Sequence, residues 1–146
     1  MSTQQPNSVC LVSVDPSTAD ILRRQTLIIL EANHYYFEDL LEFGPEAQHA
    51  LSVIYRDAFA VLDAIGWGPG HAVGPIDVPL TVGHVDQLRS CSYDLRVTNI
   101  NRSDRLGAAG SCEEGADLRA EIEADRHAAA TLDGLIARFH GVADGR

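Results

Sequence analysis

The sequence contains no lysine, and all eleven of its basic residues are arginine. Covalent chemistry that uses a lysine amine, such as Schiff-base formation, is therefore excluded. Basic residues are also outnumbered, because 21 aspartates and glutamates give the chain a formal net charge of −10 at pH 7. Binding to nucleic acid or to an anionic membrane surface needs clustered cations. We therefore expect neither a nucleic-acid partner nor a membrane partner.

Cysteines and long apolar runs are also scarce. The three cysteines, Cys10, Cys91 and Cys112, form no CxxC motif, which disfavours a zinc ribbon or a disulfide framework. The longest dense apolar run covers only residues 27–30, far less than a membrane span needs. The first residues lack the basic and apolar regions of a signal peptide. These features predict a cytoplasmic protein, and its 146 residues suit one domain, 1–146, with its own core.

Helical periodicity accounts for most of the chain. Apolar residues recur at spacings of three, four and seven in four segments, which predicts helices over residues 17–43, 45–65, 79–106 and from near 111 to about 140. Asp15 before Pro16 is typical of a helix N-cap, and the Gly44-Pro45 break predicts an antiparallel helical hairpin. Residues 1–15 are predicted to form an extended arm. The glycine- and proline-rich residues 66–79 are predicted to form a long loop without regular structure.

These elements predict an all-α fold: a four-helix bundle, largely antiparallel, with a short extended N-terminal arm. On the first helix, the apolar stripe that should face the core includes Ile21, Leu22, Ile28, Ile29 and Ala32. The residues expected to be among the most buried elsewhere are Leu51, Ile54, Leu62, Leu132 and Ile136.

One local pattern suggests metal chemistry. Glu31 and His34 form a Glu-x-x-His motif, which places a carboxylate and an imidazole one turn apart on a helix, and Glu38 follows one turn later. Asp57 lies at a matching height on the second helix. Together the four residues are a candidate site for a divalent transition metal, although the second Glu-x-x-His motif of a di-metal bundle is absent. The alternative is that the three residues of the first helix form a hydrated face with weak ion pairs.

A second group of polar and aromatic residues suggests a ligand site. Asp125 falls on the apolar stripe of the last helix, where a carboxylate needs a partner, and an arginine of the preceding helix is the expected one. Arg96 or Arg102 could instead point into a pocket and bind an anionic ligand. Trp67 and His71 lie in the long loop, where an aromatic side chain either covers the end of the core or lines a pocket or interface.

No catalytic motif stands out, so the leading hypothesis is a non-enzymatic helical interaction module that forms a homodimer and has no cofactor. The first helix carries more apolar side chains than one core face needs, and a partner chain would cover the surplus. The alternative is a small metal-dependent enzyme or ligand-binding bundle that uses Glu31, His34, Glu38 and Asp57. The partner in the leading hypothesis is a second copy, with an unidentified protein as another possibility. The surplus residues are Leu27, Leu30, Tyr35, Phe37 and Leu41.

Overall fold

The structure is a computed structural model that describes residues 8–35, 37–68, 70, 73–109 and 113–145. Within these ranges the chain is mostly helical, which agrees with the predicted all-α class, but it also contains a small sheet. None of the helices in the described ranges has the length and apolarity that crossing a bilayer requires. In chain order the elements are β1 (Cys10–Val14), α1 (Pro16–Tyr35), α2 (Phe37–Leu41), α3 (Pro45–Ile65), β2 (Ile76–Leu80), α4 (Val82–Ala109) and α5 (Glu113–Ala143).

Helix α1 begins where the sequence predicts it. The backbone N–H of Thr18 donates to Asp15 Oδ1 at 2.7 Å, so Asp15 is the N-cap. Helices α1 and α2 occupy the predicted helical segment over residues 17–43 on either side of residue 36, which lies outside the described residues. Within α1 the Asn33 side-chain amide donates to the carbonyl oxygen of Ile29 at 2.7 Å.

Helix α3 has the predicted bounds, and the break before it is confirmed. Gly44 has φ +96°, a conformation that strains other residues, and Pro45 occupies the first turn of α3. At the other end of the helix, Arg23 of α1 donates from Nε to the Gly66 carbonyl at 2.8 Å and from Nη2 to the Ile65 carbonyl at 2.9 Å. The start of α1 therefore meets the end of α3. The predicted height of Tyr36 beside this helix lies outside the described residues.

The predicted loop over residues 66–79 is wrong in its second half. Residues Ile76–Leu80 form β2, which pairs antiparallel with β1 of the predicted arm, and Val12 lies opposite Val78. Alternate residues of both strands are buried against the core, as a half-buried ribbon requires. Pro79 is compatible with the strand because it lies opposite Leu11 on an open edge, where a backbone N–H is not needed for pairing.

The core lies between the sheet and helices α1, α3, α4 and α5. Four of the five predicted core residues are buried, and Ile54 is half-buried against the same cluster. The buried face of α1 differs from the prediction, because Ile28 and Ala32 are exposed while Thr18, Gln25 and Thr26 are buried. Thr26 faces α4, where its Oγ1 lies 3.2 Å from His84 Nε2. The apolar residues buried in the core cluster are Val12, Val14, Ala19, Leu22, Ile29, Val61, Ile65, Val78, Leu80, Val85, Leu88, Cys91, Leu132, Leu135, Ile136 and Phe139.

Helices α4 and α5 form a long pair that runs in opposite directions. Arg89 of α4 contacts His140 near the end of α5, whereas Arg102 contacts Asp125 nearer its start. Helix α4 begins at Val82 rather than at the predicted Pro79, because Pro79 and Leu80 belong to β2. The predicted break and cap at residues 110–112 lie outside the described residues.

Candidate functional site

An apolar groove lies between the end of α1, α2 and α3. It has a volume of about 380 Å³ and is lined by Leu30, His34, Phe37, Tyr55 and Phe59. Leu30, Phe37 and Tyr55 are half-buried, so their side chains form the base of the groove, while His34 and Phe59 are exposed. We call these five residues the aromatic groove. A pocket with this lining suits apolar side chains of a partner, because aromatic anchors supply most of the energy of protein interfaces.

The rings of α3 continue beyond the groove as a row. Tyr55 stacks on Phe59 with ring centroids 6.0 Å apart, and Phe59 contacts Trp67 with centroids 5.5 Å apart. Trp67 Nε1 donates to Asp63 Oδ1 at 3.0 Å, which fixes the orientation of the indole just past the helix. Phe59 is 43% exposed and Trp67 is 49% exposed. Two large, oriented rings therefore face solvent beside an apolar concavity.

Further exposed apolar side chains lie on α1. Leu27, Ile28 and Tyr35 are all exposed, and Ile28 and Tyr35 line a second shallow pocket with Glu31. This agrees with the surplus apolar surface expected of the first helix, although Leu30 and Phe37 are partly covered within the groove. The side chain of Leu41 lies outside the described residues.

The candidate metal ligands are not gathered into a site. Glu31 and Glu38 are exposed, His34 stacks on Phe37 with centroids 6.5 Å apart, and Asp57 is buried. Nowhere among the described residues do three or more histidine, cysteine, aspartate or glutamate side chains form a group that could hold a metal ion.

Asp57 instead faces the N-terminus of α4. Its Oδ2 accepts a hydrogen bond from Thr81 Oγ1 at 2.7 Å, and its Oδ1 accepts from Arg56 at 3.1–3.2 Å. Thr81 is the N-cap of α4, because its Oγ1 accepts from the backbone N–H of His84 at 3.1 Å. A helix N-terminus stabilises a nearby carboxylate. The burial of Asp57 is thus explained by helix capping.

His84 is the buried titratable group that sequence reasoning missed. It is 1% exposed, its Nε2 lies 3.2 Å from Thr26 Oγ1, and its Nδ1 has no hydrogen-bond partner among the described residues. Burial lowers the pKa of His84 to about 4, and the charge of Asp57 opposes this shift only in part. A single polar residue near a helix start gives no periodic signal, so only the packed structure identifies it.

The arginine residues proposed as anion ligands are engaged in ion pairs. Arg102 pairs with Asp125 and with Glu121 of α5, which confirms the predicted arginine partner of Asp125. Arg96 pairs with Asp133, and this contact lowers the pKa of the Asp133 carboxyl. The two pairs link α4 to α5 at successive levels.

The candidate ligand residues also include Arg96, Trp67 and His71. Arg96 also lines a groove of about 550 Å³ between α4 and α5, together with Asn99, Ile100, Arg126 and Ala130. Trp67 belongs to the exposed aromatic row described above. His71 lies outside the described residues.

No protein-family model matches the chain. No curated protein and no solved structure matches it either.

Proposed function

We propose that the chain is a non-enzymatic interaction module: a single, largely antiparallel four-helix bundle that forms a homodimer through the aromatic groove. The observation that carries the proposal is the aromatic groove with the exposed rings of Phe59 and Trp67 beside it. Exposed aromatic side chains next to an apolar concavity are typical of interface hot spots. A cytoplasmic location is proposed with it, since Cys91 is a free thiol, which suits a reducing compartment.

A second copy is the occupant that best fits this surface. A two-fold contact places the same patch of both chains face to face, so it needs a concave and a convex part on one surface. The aromatic groove is the concave part, and the exposed ring of Trp67, which packs against Phe59 at the rim of the groove, is the convex part. Each chain can therefore insert its exposed rings into the groove of the other. This contact removes the apolar surfaces of both the rings and the grooves from water.

The charge of the chain shapes the expected behaviour of the dimer. Each copy has a formal net charge of −10, so two copies repel each other at long range. Salt screens this repulsion but has little effect on apolar contact. We therefore expect dimerisation to become stronger as ionic strength rises, the opposite of an interface that depends on ion pairs between the chains.

Sedimentation equilibrium at tens of micromolar protein tests the proposal. The wild-type chain should give twice the 15.8 kDa monomer mass. Phe59→Ala should raise the dimer Kd by at least about tenfold, because truncation of an aromatic hot spot removes more than about 1.4 kcal/mol. The matched control is Tyr93→Ala, since Tyr93 is an exposed aromatic of α4 that does not line the groove. A strict monomer, or equal weakening by both variants, would contradict the proposal.

The second candidate function is a ligand-binding bundle, favoured by the groove between α4 and α5 with the guanidinium groups of Arg96 and Arg126 in its lining. Its metal-dependent form requires the Glu31, His34, Glu38 and Asp57 set. Elemental analysis of protein purified without a metal-affinity tag distinguishes the metal-dependent form from a metal-free ligand-binding bundle, because only the metal-dependent form requires stoichiometric manganese, iron, zinc or nickel.

A further inference from the structure

The outer edges of β1 and β2 differ in the backbone groups that they offer to another strand. The carbonyl oxygen of Ser13 accepts a hydrogen bond from Arg138 Nη1 at 2.6 Å, so it points away from β2. In an antiparallel pair, the N–H and C=O of one residue point the same way, and the direction alternates along the strand. Ser13 and Leu11 therefore both direct their backbone groups outward, opposite Asp77 and Pro79 of β2.

Proline protects the other edge of this ribbon. Pro79 has no N–H to offer, which is a common means of preventing an edge strand from pairing. On β1, by contrast, Leu11 retains its N–H and C=O, and no hydrogen bond from another described residue reaches them. Leu11 is also 60% exposed, so its backbone is accessible from outside. The outer edge of β2 therefore lacks the N–H at Pro79, whereas the outer edge of β1 keeps the N–H of both Leu11 and Ser13.

The outer edge of β1 is one wall of a groove. Val12 and Ser13 of β1 face Arg138, Gly141 and Val142 of α5 across a space of about 370 Å³. A Cβ added at Gly141 would meet no atom within 4 Å, so this wall is not sterically filled. A groove between a strand edge and a helix fits an extended peptide, which adds a strand to the sheet and lays its side chains along the helix.

Arg138 occupies one hydrogen-bonding position of the edge. Its Nη1 satisfies the Ser13 carbonyl in the way that the N–H of a neighbouring strand would. Arg138 is exposed, and it also contributes to the low pKa of Asp15, which is caused chiefly by the hydrogen bonds from Thr18. An incoming strand can donate its own N–H to Ser13 and leave the guanidinium free for a carboxylate of the same strand.

We propose that this groove, lined by Val12 and Ser13 of β1 with Arg138, Gly141 and Val142 of α5 and flanked by the outward backbone of Leu11, binds an extended acidic peptide segment of a partner protein. The backbone of the segment pairs with Leu11, an apolar side chain covers Val142, and a carboxylate meets Arg138. A single strand is favoured over a second copy because α5 flanks β1 in every copy. Edge-to-edge pairing of two β1 strands would bring two α5 ends to the same junction. This inference does not depend on the dimer proposal.

Nuclear magnetic resonance of the full chain labelled with ¹⁵N tests the proposal. The probe is a capped octapeptide of alternating valine and threonine with a central glutamate. Saturable shifts are expected at the amides of Leu11 and Ser13 below about 1 mM peptide. A peptide with lysine in place of the glutamate should bind about fivefold more weakly, as expected for loss of one exposed ion pair. A peptide N-methylated at alternate residues should not bind, because it cannot pair with a strand edge.

A matched pair of variants at Leu11 tests the same backbone pairing from the side of the protein. Leu11→Pro removes the outward N–H and should abolish the shifts, whereas Leu11→Thr also changes the side chain but keeps the N–H and should retain them. If Leu11→Pro does not fold, the N-methylated peptide supplies the same comparison on the wild-type chain. The proposal is overturned if no shifts occur at 1 mM, if the N-methylated peptide binds equally, or if the shifts fall on the aromatic groove. It is also overturned if Leu11 is already protected in a dimer of the free protein.

Discussion

Acidification is expected to destabilise the fold through His84. Other groups with shifted pKa values act outside the upper part of the same pH range. The pKa of His84 is about 4 in the folded chain and about 6.5 in the unfolded chain. Between these values the unfolded chain binds a proton that the folded chain excludes. The contribution of neutral His84 is therefore fully present above pH 6.5 and is lost progressively as the pH falls toward 4.

The magnitude follows from the two pKa values. Each unit of difference corresponds to about 1.4 kcal/mol, so the free energy of unfolding should fall by about 2 kcal/mol between pH 7 and pH 5, and by about 3 kcal/mol by pH 4. This is a large share of the 5–15 kcal/mol typical of a domain. The carboxyls of Asp15 and Asp133 have lowered pKa values. The stability that they contribute is lost only as the pH falls toward and below the unfolded aspartate pKa of 3.8, from about pH 5 downward, so the upper part of the window is unaffected.

Urea unfolding at half-unit steps from pH 7.5 to pH 4.5 measures the effect. The control is His84→Gln, whose amide can still bond to Thr26 but does not titrate. This variant will be less stable at pH 7, yet its stability should change little between pH 7 and pH 5. Equal slopes for the wild type and His84→Gln in this range would refute the reasoning, because they would show that protonation of His84 is not linked to unfolding.

Two further substitutions test the packing and the polar contacts between helices. Leu132→Ala should lower the free energy of unfolding by about 2–5 kcal/mol, since Leu132 is fully buried in the core cluster, and a loss below about 1 kcal/mol in urea unfolding would contradict that placement. Arg102→Ala should cost about 1–3 kcal/mol because it leaves the half-buried Asp125 without its partner, and the loss should persist in high salt. Arg96→Ala removes an exposed pair with Asp133, so its smaller effect on thermal stability should shrink as salt is added, and equal salt dependence of the two variants would contradict this distinction.

The parts of the fold that the sequence predicts well depend on local chemistry. Gly44, Pro45 and Gly66 bound α3 through backbone preferences that act within a few residues, and Asp15 starts α1 for the same reason. The partner of Asp125 was also predictable, because a carboxylate on an apolar stripe restricts its neighbours to a few types.

The parts that were mispredicted depend on distant contacts. Strand β2 lies in a segment whose glycine and proline content indicates a loop, and it becomes regular only by pairing with β1. The buried face of α1 includes Thr26, which looks like a surface residue until His84 of another helix is placed beside it. Asp57 had the height of a metal ligand, but its Oδ2 accepts from the α4 cap residue Thr81 and its Oδ1 accepts from Arg56. Periodicity contains no information about these contacts.

The β1–β2 pairing also has a consequence for synthesis of the chain. Val14 and Ile76 are partners, so the sheet closes a loop of about 60 residues and is a long-range contact that forms slowly. At about 5–20 residues per second, β1 is made roughly 3–12 s before β2. During that interval Val12 and Val14 have no strand to pair with, and both edges of β1 are open. A chaperone that holds extended apolar segments would have its best opportunity to bind then, before β2 emerges from the ribosome.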